Sequence, residues 1–203
     1  MNKLLLLILL LFTTCILFAQ RTPSTPNSIA DSSMKKPTAS KPVNAETGMS
    51  VTKNISDNLL SAKNLSRFNK ALISAGLDET FRSRGPITVF IPDDEAFAKL
   101  SAGKMDSLSR FSNLPQLIAV LTYHAVPGKI TTGKIAGQMN SKTGLATFTT
   151  LSGSKLYAKV DGGGIILVDD AGHQSKITKA DIQQKNGLIN VVDAVLLPKN
   201  KLL

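Results

Sequence analysis

"ITVFIPDDEAFAKL", Ile87 to Leu100, changes its period in the middle. Ile87 to Ile91 are uncharged and β-branched or aromatic, the composition of a short buried strand. Pro92 stops that strand. Asp93 is then placed to cap a helix, with Asp94 and Glu95 in a first turn whose dipole favours negative charge. Phe97 and Leu100, three residues apart, form the buried side of that helix. A strand that runs straight into a helix puts both kinds of element around one core.

The same reading extends in both directions. Upstream, "NLSRFNKALISAGL" sets Leu65, Phe68, Leu72 and Ile73 on one helical face, and Gly76 ends the helix. Downstream, "NLPQLIAVLTYH" reads as a helix with Pro115 in its first turn and Leu114, Leu117, Ile118 and Leu121 inward. Beyond it the chain turns to strands: "LATFTTL", "SKLYAKV" and "GIILVDD", the last two joined by the hairpin turn "DGGG". "ITKADI", an Asn186-Gly187 turn and "LINVVDAVLLP" close the chain. Helices first and mostly antiparallel strands second indicate α+β.

The N-terminal region has a different composition. Residues 1–19 carry one lysine and then an apolar run from Leu4, the layout of a secretory signal peptide with Ala19 before the cut. The run is shorter than the ~20 apolar residues that span a bilayer, and Thr13 and Thr14 interrupt it. "FTT" before Cys15 is a poor match to lipoprotein processing, and a cut at Ala19 discards the only cysteine. Export to the periplasm, the cell surface or the medium is therefore expected. Residues 20–50 are rich in Pro, Ser, Thr and Ala and nearly free of large apolar residues, which reads as a disordered linker. The folded domain is expected over residues 51–198, with a tail at 199–203.

Formal charge is +10, and loss of Lys3 with the signal leaves +9. The basic residues are scattered, with no tryptophan and few aromatics, so the pattern does not match a nucleic-acid stripe. It suits a soluble basic surface attracted to acidic polysaccharide or an anionic cell surface. No cofactor is implied. Two histidines, His124 and His173, lack metal-ligand spacing, and "DGGG" lacks the Lys-Ser/Thr of a phosphate loop. The acids of "PDDEAF" read as caps, not as an acid/base pair. In "YHAVPGKI", His124 ends a helix, where it can donate to free carbonyls and where the dipole favours its charged form. The adjacent Tyr123 brings a hydroxyl that needs a partner if buried.

In this order and at this spacing, "ITVFIPDDEAFAKL", "LTYHAVPGKI" and "GLINVVDAVLLP" resemble the three conserved blocks of the fasciclin domain. "KALISAGLDETFR" and "ITKADIQQKNG" match as well, so the resemblance runs over roughly Val51 to Pro198. It implies a wedge-shaped β-sandwich with helices packed along it, in which the first and last blocks supply paired core strands. It also implies a secreted or surface-attached adhesion and binding module with no general catalytic role. Tyr123-His124 corresponds to the family's tyrosine-histidine motif and Asp181-Ile182 to its Asp-Ile pair. Both have adhesion contacts assigned to them in animal members, so these four are carried over as candidate partner-binding surface. Asn190 stands where many relatives have histidine, and no Arg-Gly-Asp is present; "RGP" at Arg84 to Pro86 lacks the acid.

The leading expectation is a non-enzymatic binding module for a protein or acidic glycan at the cell envelope. The alternative is a small-molecule or lipid carrier with a pocket between helices and sandwich. A hydrolase requires His124 or His173 in a cleft beside an acid and a nucleophile.

Overall fold

The computed structural model describes residues 47–199. The signal peptide with Ala19 and Cys15, most of the linker, and the tail beyond Lys199 lie outside the described residues. Within them the helices are α1 (Ile55–Leu59), α2 (Ser66–Ser74), α3 (Asp78–Ser83), α4 (Asp94–Ala98), α5 (Ala102–Ser109), α6 (Leu114–Tyr123) and α7 (Thr132–Gly137). The strands are β1 (Ile87–Pro92), β2 (Ala125–Pro127), β3 (Ala146–Thr149), β4 (Lys155–Asp161), β5 (Gly164–Val168), β6 (Gln174–Gln184) and β7 (Gly187–Val192). The α+β expectation is met.

The strands hydrogen-bond in the order β2-β1-β7-β6-β5-β4-β3. Every neighbouring pair is antiparallel except β1 and β7, which run parallel in register from Ile87↔Gly187 to Pro92↔Val192. The first and last blocks of sequence are thus the central pair. Strand β6 belongs to both halves: Gln174 to Lys176 pair with β5, and Ile177 to Gln184 pair with β7. Two register shifts in β6, between Ile177 and Ile182, allow the change. At the far end, Leu151 N–H donates to Ala125 O at 2.7 Å, drawing the β3 end of the sheet toward β2.

This arrangement makes two cores. One lies between the helices and one face of β1 and β7, with Phe68, Leu72, Phe81, Val89, Ile91, Ile189 and Val191 among its members. The other lies inside the wedge, between the opposite face of β1 and β7 and the inner face of β3, β4 and β5. Phe90 and Val192 meet Phe148, Leu156, Ala158 and Leu167 there. Strands β1 and β7 are therefore buried on both faces along their whole length, which is why their sequences show no alternation.

Several sequence expectations are refined. Asp93 caps α4 by accepting from Ala96 N–H at 2.7 Å. Asp94 instead accepts from Arg67 N–H and the Ser66 hydroxyl, both at 2.8 Å, and so caps α2 from another element. Ile73 is 53% exposed, because it follows Leu72 by 100° around the helix and leaves the buried face. Met49 and Ser50, read as linker, are buried, with Ser50 N–H donating to Asn58 Oδ1 at 2.9 Å, so packing begins before Val51. The β6–β7 turn is Lys185-Asn186, one residue earlier than expected. A Cβ on Gly187 would stand 1.8 Å from Ile87 O, so this glycine is needed for close strand approach. Asn186 ties helices to the sheet, accepting from Ile55 N–H at 2.9 Å and donating to Phe81 O at 2.9 Å.

Candidate functional site

Helix α6 ends by driving Tyr123 and His124 inward, and both side chains are fully buried. The Tyr123 hydroxyl donates to Lys155 O at 2.7 Å and accepts from Asp170 N–H at 3.1 Å. It therefore joins the helix end to β4 and to the turn after β5. Burial raises the phenol above its ordinary range, against a partial lowering by the Asp170 N–H bond.

His124 forms a second tie. Its Nδ1 lies 2.7 Å from Val120 O and its Nε2 accepts from Leu196 N–H at 3.1 Å. These two bonds require one neutral tautomer, with the proton on Nδ1. Burial pushes the imidazole down to about 4, although the Val120 carbonyl and the Asp169 charge act the other way. The expected dipole-favoured charged form is thus corrected: loss of hydration outweighs the helix end. The ring of Phe68 packs edge-on against it, with centroids 6.0 Å apart.

The sequence reading missed the acids that complete this knot. Asp169 is buried; its Oδ1 accepts from Ala171 and His173 N–H at 3.0 and 2.8 Å, and its Oδ2 accepts from Leu197 N–H at 3.1 Å. Oδ2 also lies 2.9 Å from His173 Nδ1. Asp170 Oδ1 accepts from Lys199 N–H at 2.6 Å. Leu196, Leu197 and Lys199 are thereby held by side-chain acceptors where a strand would use carbonyls. The signal was "VDDAGH", in which an Asp-x-x-x-His turn precedes a strand, but in sequence it reads only as a hairpin connection.

Asp181 and Ile182 sit at the β6 irregularity. Asp181 has φ 56°, and its N–H donates to the buried Asn190 Oδ1 at 2.7 Å. Its carboxylate accepts from Thr132 N–H at 3.0 Å and from the Thr132 hydroxyl at 2.7 Å, so it holds the first turn of α7. Ile182 is 3% exposed and belongs to the helix-side core. Asn190 Nδ2 is buried without a hydrogen-bond partner among the described residues. The two motifs do not converge on one surface. Tyr123, His124 and Ile182 point into the protein, and the Asp181 carboxylate is occupied.

His173, the other histidine, is 65% exposed on its side chain beside the buried Asp169. Among the described residues no group of three or more His, Cys, Asp or Glu is placed to hold a metal ion. Likewise no helix among them is long and apolar enough to cross a membrane.

An exposed surface arises from register instead. In β4, Lys155, Tyr157 and Lys159 alternate with the buried Leu156 and Ala158. Pairing sets Tyr157 beside Thr147 and Val168, and sets Lys159 beside Ile166, which in turn faces Lys176. The outer face of β3–β6 therefore presents half-buried Tyr157, Ile166 and Val168 framed by Lys155, Lys159 and Lys176. Lys155 Nζ donates to Thr149 Oγ1 at 2.8 Å, and Lys159 lies 3.9 Å from Asp161 at the hairpin tip.

Comparison with known proteins matches residues 63–198 to the fasciclin domain. Protein sll1483 of Synechocystis is 37% identical over 63% of this chain and 64% of its own length. The uncharacterized protein sll1735 of the same organism is 33% identical over 71% of this chain and 97% of its own. Human periostin is 32% identical over 72% of this chain, which spans 16% of periostin. Among solved structures, a FAS1 domain pair from the insect cell adhesion molecule fasciclin I superposes with a TM-score of 0.61 at 16% identity, covering 71% of this chain and 51% of that one.

Proposed function

The chain belongs to the fasciclin domain family, and from that premise we propose that it is an exported binding module, not an enzyme, that attaches to acidic glycan at the cell envelope. The observation that carries this reading is the outer face of β3–β6. Lysines frame a half-buried tyrosine on the outer sheet face, and Lys159 and Lys176 are two strands apart, roughly 10 Å. A tyrosine ring offers an apolar body to a sugar face, and ammonium groups meet uronate or sulfate. The charge of +9 left once Lys3 is removed with the signal favours encounter with such polymers.

In this reading Tyr123, His124, Asp181 and Ile182 serve binding indirectly. They tie α6, α7, β6 and the C-terminal segment to the sheet that carries this face. The signal peptide ending at Ala19 exports the protein, and the Pro/Ser/Thr-rich linker gives the domain reach.

The test is calorimetric titration of the full chain with polyuronate and with a neutral glucan. Saturable polyuronate binding that weakens with added salt is expected, with no binding to the neutral polymer. In Lys155→Glu/Lys176→Glu that binding should fall away while the fold persists. Absence of saturable binding to any acidic glycan sinks the reading. If the full chain then captures an envelope protein through the same lysines, the surface serves a protein partner.

A further inference from the structure

On the opposite side of the molecule the helices leave an open pocket of about 280 Å³. Ala71 of α2, Phe97 of α4, Leu108 of α5, and Leu117 and Val120 of α6 form its walls. These walls keep a little exposure, Phe97 6%, Leu108 7%, Leu117 9% and Val120 8%, whereas Phe68, Leu72 and Phe81 of the same core have none. The volume lies just below the ~300–1,000 Å³ of small-molecule sites, and apolar walls with few polar groups are their usual make-up.

The polar groups stand at the mouth on one stripe of α2. Arg67, Lys70 and Ser74 fall at i, i+3 and i+7, so they share the face that also carries Ala71. Arg67 and Lys70 are exposed, and neither forms an ion pair among the described residues. The nearest acid in the bonding pattern, Asp94, is already engaged by Arg67 N–H and the Ser66 hydroxyl. Two unpaired cations over an apolar cleft select for a ligand with one anionic end and one apolar end.

We propose that this pocket binds a single-chain anionic amphiphile of the medium-chain carboxylate class. The carboxylate sits between Arg67 and Lys70, with the guanidinium able to take both oxygens. The chain lies against Phe97, Leu117 and Val120. The volume suits one acyl chain. The site is separate from the lysine-framed sheet face and is independent of the glycan reading.

Calorimetric titration of the full chain with decanoate, acetate and decyltrimethylammonium tests the assignment. Decanoate is expected to bind saturably, and the other two at least ~10-fold more weakly, since one lacks the chain and the other carries the opposite charge. Arg67→Glu/Lys70→Glu alters only exposed side chains; it should keep the melting temperature and reverse the preference toward decyltrimethylammonium. Lys155→Glu/Lys176→Glu should bind decanoate as the parent does. Three results overturn the proposal: no saturable decanoate binding, equal binding of anionic and cationic amphiphiles, or an Arg67→Glu/Lys70→Glu variant that still prefers decanoate.

Discussion

The two tyrosines of the chain occupy opposite kinds of place. Tyr123 is sealed inside, with its hydroxyl between Lys155 O and Asp170 N–H, whereas Tyr157 lies half-exposed on the outer sheet face among lysines. The two histidines divide in the same way: His124 is buried and neutral, and His173 is on the surface beside Asp169. The difference teaches that scarcity alone does not assign a role: the same residue type ties the interior when buried and, when strand register turns it outward, joins the lysines of the proposed binding face.

Substitution in the interior knot and on the sheet face should therefore separate stability from binding. The largest expected effect is that of His124→Ala. It strands Leu196 N–H, loses the bond to Val120 O and opens space against Phe68, at about 2–4 kcal/mol by denaturant unfolding. Glycan binding measured well below the melting temperature should persist. A variant of unchanged stability with lost binding would instead make His124 a contact residue. Tyr123→Phe removes only the hydroxyl and leaves Lys155 O and Asp170 N–H without it, at about 1–3 kcal/mol.

Asp181→Ala comes next, at about 1–2 kcal/mol, since it loses the acceptor for Thr132 and places alanine at φ 56°. Asp181→Asn should lose less, because asparagine tolerates that conformation and keeps one acceptor oxygen. Equal losses in the two variants would show that the charge, not the backbone, matters at this position. The smallest effect on stability is expected for Lys155→Glu/Lys176→Glu, within about 0.5 kcal/mol, although it should remove the glycan signal.

Acid should act on the knot through His124. The His124 imidazole falls from an ordinary 6.5 to about 4 in the folded protein, so between these values the unfolded chain binds the extra proton. Its contribution is complete above pH 6.5 and is lost as pH falls toward 4, with a slope of at most ~1.4 kcal/mol per pH unit for one proton. Unfolding curves of the parent and of His124→Gln across this window check the assignment. An identical pH dependence in both would remove His124 as its source.

Much of the local structure was legible in sequence. Asp93 as a cap, Gly76 as a helix stop and "DGGG" as a hairpin turn all follow from short-range chemistry, and all three stand. The pairing of β1 with β7 was readable only through family resemblance, and its parallel direction was not, because strands buried on both faces carry no period to align. The double role of β6 was not legible, since the irregularity lies at Asp181, whose partners Asn190 and Thr132 come from β7 and α7. At the candidate site, the need of Tyr123 for a hydroxyl partner was readable, but the identity of that partner was not. Lys155, Tyr157 and Lys159 alternate visibly within β4, yet only pairing through β5 brings Lys176 beside them.

The parallel pairing of β1 with β7 has a consequence for how the chain reaches this state. Ile87 pairs with Gly187, 100 residues later in the chain, so the centre of the sheet closes last in chain order. Helices α2 to α6 and the β3–β5 meander can form from neighbours, but their apolar faces have no common floor until β7 arrives. Folding should therefore be slow for a domain of this size and sensitive to truncation at the C-terminal end, since distant strands must meet before their contacts stabilise anything. A chain stopped before Gly187 should collapse without packing, with its helices formed and both cores open.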